Sequence, residues 1–289
     1  MSRSSRAVSP DESPVNRDGD PLSSARPLVL EASDLVKRHR SSGFLRSRAS
    51  SDTPAVDGVS LRLRQGETLG LVGESGCGKS SLARLLTAVD RPTSGHVEVL
   101  GRRLDQLDGR ALRAARRNIQ LVFQDPYTCL DPRMTVGAIV REPLLIHRDP
   151  APRRDRRRRV AELLELVGLN PDHADRRPHE FSGGQRQRIG IARALALRPE
   201  VVVCDEPVSA LDVSVQAQIV NLFTALQREL GIAYVFISHD LAVVEHMADR
   251  VAVMHHGRIV EQGTVDEIYD HARHPYTAEL LSSSPAPLP

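Results

Sequence analysis

The residues best suited to chemistry begin with a glycine-rich segment, GLVGESGCGKSS, which contains the pattern Gly73-x-x-x-x-Gly78-Lys79-Ser80. Glycines permit backbone conformations in which successive N–H groups point at one anion, and a helix N-terminus adds positive potential. Lys79 would reach the β- and γ-phosphates of a nucleotide, and the Ser80 hydroxyl would bind Mg²⁺. A strand-like segment precedes the pattern and a helix-like one follows it, so we predict a phosphate-binding loop. Its predicted nucleotide-binding residues are Gly73, Glu74, Ser75, Gly76, Cys77, Gly78, Lys79, Ser80 and Ser81.

A second chemical group ends the apolar segment VVVCDE, where Asp205 and Glu206 follow one another. Asp205 suits Mg²⁺, an ion that takes few carboxylate ligands and keeps several waters. Glu206 is placed to accept a proton from an attacking water. Two acids after a strand are also common where a helix begins, because they cap its free N–H groups. The phosphate loop elsewhere in the chain favours the interpretation as a metal ligand and a base.

The segment FSGGQRQR opens an otherwise good helix with a serine and two glycines. Ser182 and Gln185 match a capping box, in which each side chain accepts the other's backbone N–H. The capping box leaves the glycines unexplained, because each glycine costs about 1 kcal/mol in a helix. Bare N–H groups at a helix N-terminus form an anion site. The type of anion that this segment would meet is not indicated by these residues alone.

The overall composition limits the kinds of partner that the chain has. Its 39 Lys and Arg nearly balance 37 Asp and Glu, and the net charge of +2 gives no strong field for nucleic acid. Aromatic residues make up 3% of the chain and Trp is absent, so stacking surfaces for single-stranded bases are poorly supplied. The arginine-rich run from Arg153 to Arg159 is expected to be a solvated helix face, and no nucleic-acid partner is predicted.

Three residue types, lysine, cysteine and histidine, are informative because of where they occur. Lys37 and Lys79 are the only lysines, and the other 37 basic residues are arginine. A compact ammonium fits between phosphates where a planar guanidinium does not, which supports the role of Lys79. Cys77 lies in the phosphate loop, where N–H groups and Lys79 could favour a reactive thiolate, and an unreactive small side chain is the other interpretation. His255 and His256 are assigned to a turn, without a metal.

Composition and apolar spacing predict the elements that position these residues. Residues 1–26 are predicted to be a disordered tail. The stretch of about 105–181 is rich in Arg and Leu with helical spacing, which predicts an inserted helical subdomain. Between VVVCDE and AYVFISHD, an apolar stripe predicts a helix that joins two parallel strands, and hence an α/β fold. The stripe consists of Ile219, Leu222, Phe223, Leu226 and Leu230.

Together, the phosphate loop, VVVCDE and FSGGQRQR resemble the ATP-binding cassette (ABC) ATPases of membrane transporters. The resemblance runs from about Leu28 to Leu281. It implies a RecA-like P-loop NTPase fold with a small antiparallel β portion and the helical subdomain. The ATPase domain would span residues 27–281, followed by a C-terminal tail at 282–289. The resemblance also implies ATP and Mg²⁺ as cofactors, and a head-to-tail dimer of two cassettes. In that dimer, Ser182, Gly183, Gly184 and Gln185 of one cassette would cap the γ-phosphate bound by the other.

The same resemblance gives roles to single residues. Gln124 in VFQDPY resembles the glutamine that touches Mg²⁺ and the attacking water, and His239 in ISHD resembles the histidine that contacts the γ-phosphate. Asp212 in SALD resembles a loop that signals across the dimer, although an Asp there is equally a helix N-cap. The predicted catalytic residues are Glu206, His239 and Gln124. The predicted Mg²⁺ ligands are Ser80, Gln124 and Asp205.

His39 departs from the family pattern. The family commonly stacks adenine on an aromatic side chain of the first strand region, and His39 occupies the matching place in DLVKRHR. An imidazole stacks less strongly than a larger ring. We therefore expect His39 to contact the base and the site to discriminate weakly between ATP and GTP.

Longer segments narrow the resemblance to the ATPase subunits of oligopeptide, dipeptide and nickel importers. The segments are VGESGCGKSSLARLL, FQDPYTCLDPR, DEPVSALDVSVQAQI, YVFISHDLAVVEHMAD and RHPYTAELL. The HPYT stretch, His274 to Thr277, is the most typical of this subgroup. Its members usually continue into a cysteine-containing tail, which has no counterpart in this sequence.

The subgroup implies a peripheral protein on the cytoplasmic face of the cell membrane. Its partners would be two transmembrane permease subunits, a second cassette that is either a copy or a related chain, and, indirectly, an extracytoplasmic solute-binding protein. No apolar run approaches the roughly 20 residues that span a bilayer, which agrees with peripheral attachment. The alternative is a soluble cassette ATPase that acts on DNA, ribosomes or cluster assembly.

Overall fold

Ten strands in two sheets are present in the computed structural model, which describes residues 26–38, 53–125, 129–148 and 152–283. The strands are β1 (Leu28–Lys37), β2 (Val56–Arg64), β3 (Thr68–Val72), β4 (Ser94–Val99), β5 (Arg102–Arg103), β6 (Ile119–Val122), β7 (Val201–Asp205), β8 (Ala233–Ile237), β9 (Arg250–His255) and β10 (Arg258–Thr264). The α-helices of these ranges are α1 (Lys79–Leu86), α2 (Gly109–Ala115), α3 (Val136–Ile146), α4 (Arg153–Leu166), α5 (Gly183–Leu195), α6 (Val213–Leu230), α7 (Leu241–Met247), α8 (Val265–Tyr269) and α9 (Pro275–Ser282).

The main sheet has the spatial order β10-β9-β3-β8-β7-β6. Its strands β9, β3, β8, β7 and β6 run parallel, and β10 pairs antiparallel with β9 at the edge. Parallel strands have their carboxyl ends at one edge of the sheet, where ligands of open α/β sheets bind. The loops after β3, β6, β7 and β8 therefore lie close together, and these loops carry the predicted site.

The second sheet is antiparallel, with the order β2-β1-β4-β5. The predicted α/β fold with a small antiparallel β portion is therefore confirmed. The predicted connection between β7 and β8 is also confirmed, because α6 joins two strands that pair in parallel.

Apolar side chains cover both faces of the main sheet, as expected for a largely parallel sheet. On one face, Val203 of β7 packs in a cluster with Leu82 of α1. On the other face, Val202 lies in a cluster with Phe223 of α6. The buried strand β7 is thus held from both sides, which fixes the position of the two acids at its end.

Two sequence predictions about the elements need correction. Leu230 is 47% exposed and does not share the buried stripe of α6, because it is the last residue of the helix before the left-handed turn at Gly231. The predicted helical stretch of about 105–181 also contains a strand of the main sheet, because β6 at Ile119–Val122 pairs with β7. We propose that the helical subdomain comprises the described residues between β6 and α5.

Candidate functional site

The glycine-rich segment forms the loop between β3 and α1, and two of its glycines are required by close backbone contacts. Gly73 has φ 149°, and a Cβ there would lie 2.1 Å from the Met254 carbonyl oxygen. Gly78 has φ 113°, and a Cβ there would lie 2.1 Å from the Ala55 carbonyl oxygen. Gly76, at φ 82°, faces open space, so only its backbone conformation favours glycine. The loop therefore wraps tightly around the N-terminus of α1.

Lys79 and Ser80 occupy the first turn of α1, where the helix dipole favours an anion. Lys79 is 4% exposed, and its Nζ donates to the carbonyl oxygens of Gly73 at 2.7 Å and Glu74 at 2.8 Å. Glu74 and Ser75 are exposed at the outer part of the loop. The ammonium is thus held inside the curve of the loop, where it can meet a phosphate.

The Ser80 hydroxyl and Asp205 come together at the edge of the sheet. Ser80 Oγ donates to Asp205 Oδ1 at 3.1 Å. Burial raises the pKa of the Asp205 carboxyl, and the neighbouring Glu206 acts in the same direction, while Ser80 and Lys79 oppose it. A hydroxyl and a carboxylate are the oxygen ligands that Mg²⁺ takes. This donor pair fits the ion, which would also relieve the cost of burying the Asp205 charge.

Glu206 lies directly after β7 and contacts both other predicted catalytic side chains. Gln124 Nε2 donates to Glu206 Oε2 at 3.0 Å, and His239 Nδ1 lies 3.2 Å from the same oxygen. The Glu206 backbone has φ 46°, a left-handed conformation that is uncommon for residues other than glycine and is typical of functional sites. Its side chain is 15% exposed. A partly buried carboxylate with two polar neighbours can receive a proton from a water in front of it.

The FSGGQ segment forms the predicted capping box. Ser182 Oγ accepts from the Gln185 N–H at 3.3 Å, and Gln185 Oε1 accepts from the Ser182 N–H at 3.0 Å. Gly184 is buried, and a Cβ there would lie 2.4 Å from Cγ1 of Val215 in α6. One of the two glycines therefore has a packing reason that the sequence did not reveal.

The close contact of Gly184 makes a first prediction. Gly184→Ala should lower the free energy of unfolding, because overpacking typically costs about 1–3 kcal/mol and helix propensity returns only about 1 kcal/mol. Gly190→Ala is the control in the same helix, since a Cβ there has open space and should stabilise by up to about 1 kcal/mol. Urea unfolding of both variants measures the difference. Equal stability of Gly184→Ala and Gly190→Ala would contradict the packing argument, and Val215→Ala should partly restore Gly184→Ala.

Three other sequence predictions have different outcomes. Cys77 is 8% exposed, and burial raises the pKa of its thiol although Lys79 acts in the opposite direction, which favours the second of the two interpretations, an unreactive small side chain. Asp212 is the N-cap of α6, where its side chain accepts from the Val215 N–H at 3.0 Å. His39 lies outside the described residues.

The structure adds Tyr276 to the site, a residue whose role the sequence did not indicate. The Glu74 backbone N–H donates to the Tyr276 hydroxyl at 3.1 Å, although the two residues are 202 positions apart. Tyr276 belongs to the HPYT stretch, and the only sequence signal was that this stretch is typical of a subgroup. A contact over such a distance in the chain leaves no local pattern.

Among the described residues, no helix is both long and apolar enough to cross a bilayer.

Comparison with known proteins places this site in a family. The model of the ABC transporter family matches residues 56–209. The oligopeptide transport ATP-binding protein OppF of Escherichia coli is 56% identical over 235 residues, which are 81% of this chain and 70% of that protein. The dipeptide transport ATP-binding protein DppF of the same organism is 53% identical over 259 residues, covering 89% and 76%. The glutathione import ATP-binding protein GsiA of Pectobacterium atrosepticum is 54% identical over 257 residues, but these are only 41% of its length.

Solved structures give the same result for the fold. A dimeric bacterial ABC transporter cassette, MJ0796, in a post-hydrolysis state with ADP and phosphate, has a TM-score of 0.72 and 29% identity. The match covers 82% of this chain and 98% of that one. The fold that carries the candidate site is therefore similar to that of a solved cassette. The site segments on it are the phosphate loop, the acids after β7 and the FSGGQ segment. The chain belongs to the ABC transporter family of ATPases.

Proposed function

We propose that this chain is the ATP-binding and ATP-hydrolysing subunit of an importer for peptides or a related small solute. The observation that carries the proposal is the cluster of Gln124, Glu206 and His239 beside the phosphate loop, in a chain whose relatives are named for oligopeptide, dipeptide and glutathione transport. The transported solute would not contact this chain. The energy of hydrolysis would instead reach the solute through membrane partners.

The nucleotide site is assigned to the loop between β3 and α1. The N–H groups from Gly73 to Ser81 and the Lys79 ammonium would hold the phosphates, since they combine a helix N-terminus with a buried positive charge. Ser80, Asp205 and Gln124 would hold Mg²⁺, which when bound neutralises charge that develops on the phosphates. The Ser80–Asp205 hydrogen bond supports this assignment, because both side chains already point to one place.

Hydrolysis requires a base and groups that orient the attacking water. Glu206 is the assigned base, because its carboxylate is partly buried at the carboxyl end of β7. Gln124 and His239 would orient the water and the γ-phosphate, and the closeness of both side chains to Glu206 Oε2 supports these roles. Each of the three side chains comes from a different loop. The site is therefore complete only when the three loops hold their side chains close together.

A second cassette would complete the nucleotide site. The FSGGQ segment packs against the start of α6, and Val213 in the first turn of that helix is 58% exposed. The exposed Val213 side chain could contact the surface of a partner cassette, while the N-terminus of α5 faces the phosphate bound by that partner. The partner cassette is either a copy of this chain or a related subunit.

The membrane partner is assigned to a groove between the main sheet and the helical subdomain. The β6 groove, as we call it, has a volume of about 250 Å³, and its lining includes Val89, Phe123, Ile146, His147, Gln187 and Arg193. Val89, Phe123 and Ile146 are 46%, 44% and 51% exposed, which is unusual for large apolar side chains grouped together.

The position of the β6 groove supports a permease segment as its occupant. Phe123 immediately precedes Gln124, so a partner that presses on Phe123 would act on the nucleotide site through one peptide bond. Gln187 also lines the groove, and within the described part of the chain its buried Nε2 makes no hydrogen bond. An apolar permease segment could cover the exposed apolar side chains of the groove, and a free carbonyl oxygen in that segment could accept a hydrogen bond from Gln187 Nε2.

A charged substitution in the β6 groove tests this assignment. Ile146→Asp should reduce the amount of permease that co-purifies with the chain at least about tenfold, because burying an unpaired carboxylate costs several kcal/mol. Leu230→Asp, at a similarly exposed leucine outside the groove lining, is the control and should retain the permease. Equal recovery from both variants would show that the permease binds elsewhere.

Purification from native membranes tests the proposed function as a whole. A tagged chain should recover two polytopic membrane proteins and a cassette partner at the cytoplasmic face, together with an associated solute-binding protein. If ribosomes or DNA were recovered instead, the importer assignment would be rejected. The chain would then be a soluble ATPase with the same proposed ATPase chemistry.

A further inference from the structure

The C-terminal part of the chain contacts the phosphate loop at several residues. Besides the Glu74–Tyr276 hydrogen bond, the Gly257 N–H donates to the Cys77 carbonyl oxygen at 2.9 Å. The Met254 carbonyl lies so close to Gly73 that a Cβ would not fit. Three parts of the loop, at Gly73, Glu74 and Cys77, are therefore contacted by the stretch 254–276, which begins at the end of β9 and runs to the start of α9.

Tyr276 is itself held firmly. Its ring stacks on His255 with the ring centroids 3.8 Å apart and the planes at 20°, and it is 8% exposed. His274 caps α9, where its Nδ1 accepts from the Tyr276 N–H at 3.2 Å. Glu261 of β10 accepts from the N–H groups of Arg273 at 2.8 Å and His274 at 3.1 Å. The hydroxyl is thus presented to the loop by a fixed side chain.

A short chain of contacts leads from this hydroxyl to the nucleotide site. The N–H of Glu74 donates to Tyr276, and the carbonyl oxygen of Glu74 accepts from Lys79 Nζ at 2.8 Å. Residue 74 is therefore fixed on one side by the C-terminal helix and linked on the other side to the buried ammonium. Movement of α9 would displace the group that positions Lys79.

We propose that Tyr276 is a positioning residue for the phosphate loop and that the HPYT stretch, through Glu74, sets the affinity for nucleotide. The proposal deepens the nucleotide assignment above and depends on it. It gives the C-terminal helix a part in ATP binding, because a preorganised loop binds its ligand without an ordering cost. The competing explanation is that Tyr276 only anchors α9 to the sheet.

Tyr276→Phe separates the two explanations, because it keeps the stacked ring and removes the hydroxyl. The dissociation constant for ATP, measured with the full-length chain and a fluorescent ATP analogue, should rise about fivefold, the worth of one hydrogen bond. In steady-state hydrolysis, KM should rise by a larger factor than kcat falls. Tyr269→Phe is the matched control, because the Tyr269 hydroxyl donates to the Leu241 carbonyl, away from the loop, and its loss should leave ATP affinity unchanged.

Each outcome of this comparison has a distinct meaning. A lower unfolding temperature of Tyr276→Phe with wild-type affinity would overturn the proposal and leave an anchoring role only. Equal losses of affinity in Tyr276→Phe and Tyr269→Phe would also overturn it. If the wild-type chain itself fails to bind ATP, the nucleotide assignment falls and the proposal with it.

A double-mutant cycle with His255→Leu gives a second readout. If His255 acts by orienting the Tyr276 hydroxyl, His255→Leu should weaken ATP binding in the wild-type background and have no further effect in Tyr276→Phe. Additive losses would show that the two side chains act independently, against the proposed path through Tyr276.

Discussion

Glu206→Gln should lower ATP turnover at least about 100-fold, because a positioned general base contributes typically 10²–10⁴-fold to a rate. The amide keeps the size of the side chain and its contact with Gln124, but it does not accept a proton from water. ATP binding should persist, since Lys79 and the loop N–H groups are untouched. ATP should therefore accumulate on the variant and favour the closed cassette dimer, which size-exclusion chromatography would detect.

The control for this variant is Glu229→Gln, which makes the same chemical change on an exposed part of α6. Both proteins are assayed for phosphate release at saturating ATP and for binding of a fluorescent ATP analogue. Turnover of Glu206→Gln within a factor of two of the wild type would reject Glu206 as the base. Loss of ATP binding would instead indicate that Glu206 shapes the nucleotide site.

Lys79→Arg should weaken ATP binding by roughly 10- to 100-fold, although it keeps the charge. The ammonium lies 2.7 Å and 2.8 Å from two carbonyl oxygens inside the loop, and Lys79 is 4% exposed. A planar guanidinium is larger and hydrogen-bonds in a fixed fork, so it does not fit this place. Loss of a charged hydrogen bond to phosphate is worth about 1.5–3 kcal/mol, which corresponds to the expected change.

The other lysine of the chain provides the control. Lys37 Nζ donates to the Arg91 carbonyl oxygen at an exposed position, where an arginine can make the same contact. Lys37→Arg should therefore bind ATP like the wild type in isothermal titration. Wild-type affinity in Lys79→Arg would show that charge alone matters at position 79.

The sequence predicted the parts of the site that lie within one segment. The phosphate loop, the acids after VVVC and the capping box each depend on neighbours within about ten residues, and their flanking strand and helix are equally local. The approach of Gln124 and His239 to Glu206 came from the family resemblance, since nothing local indicates that residues 82 and 33 positions away meet it.

The features that escaped prediction depend on contacts between distant segments. The closeness of Gly184 to Val215 follows from how α5 meets α6, and the glycine was explained by anion binding alone. Burial decided the pKa of Cys77, whereas the sequence showed only its charged neighbour. The strand β6 was left inside the predicted helical stretch because its four residues lie among arginine-rich helical patterns and pair with a strand about 80 positions later.

Because the Glu206 backbone is left-handed, the residue expected to serve ATP hydrolysis best is not the one expected to give the most stable fold at this position. Glycine and asparagine adopt such a conformation at lower cost than glutamate, and either would remove a negative charge from beside Asp205. A selection for heat resistance or soluble yield would therefore enrich replacements at position 206, and sequencing the survivors checks this. Such a selection would favour inactive proteins if Glu206 is the base as proposed, because the glutamate is retained against the conformational preference of its own backbone.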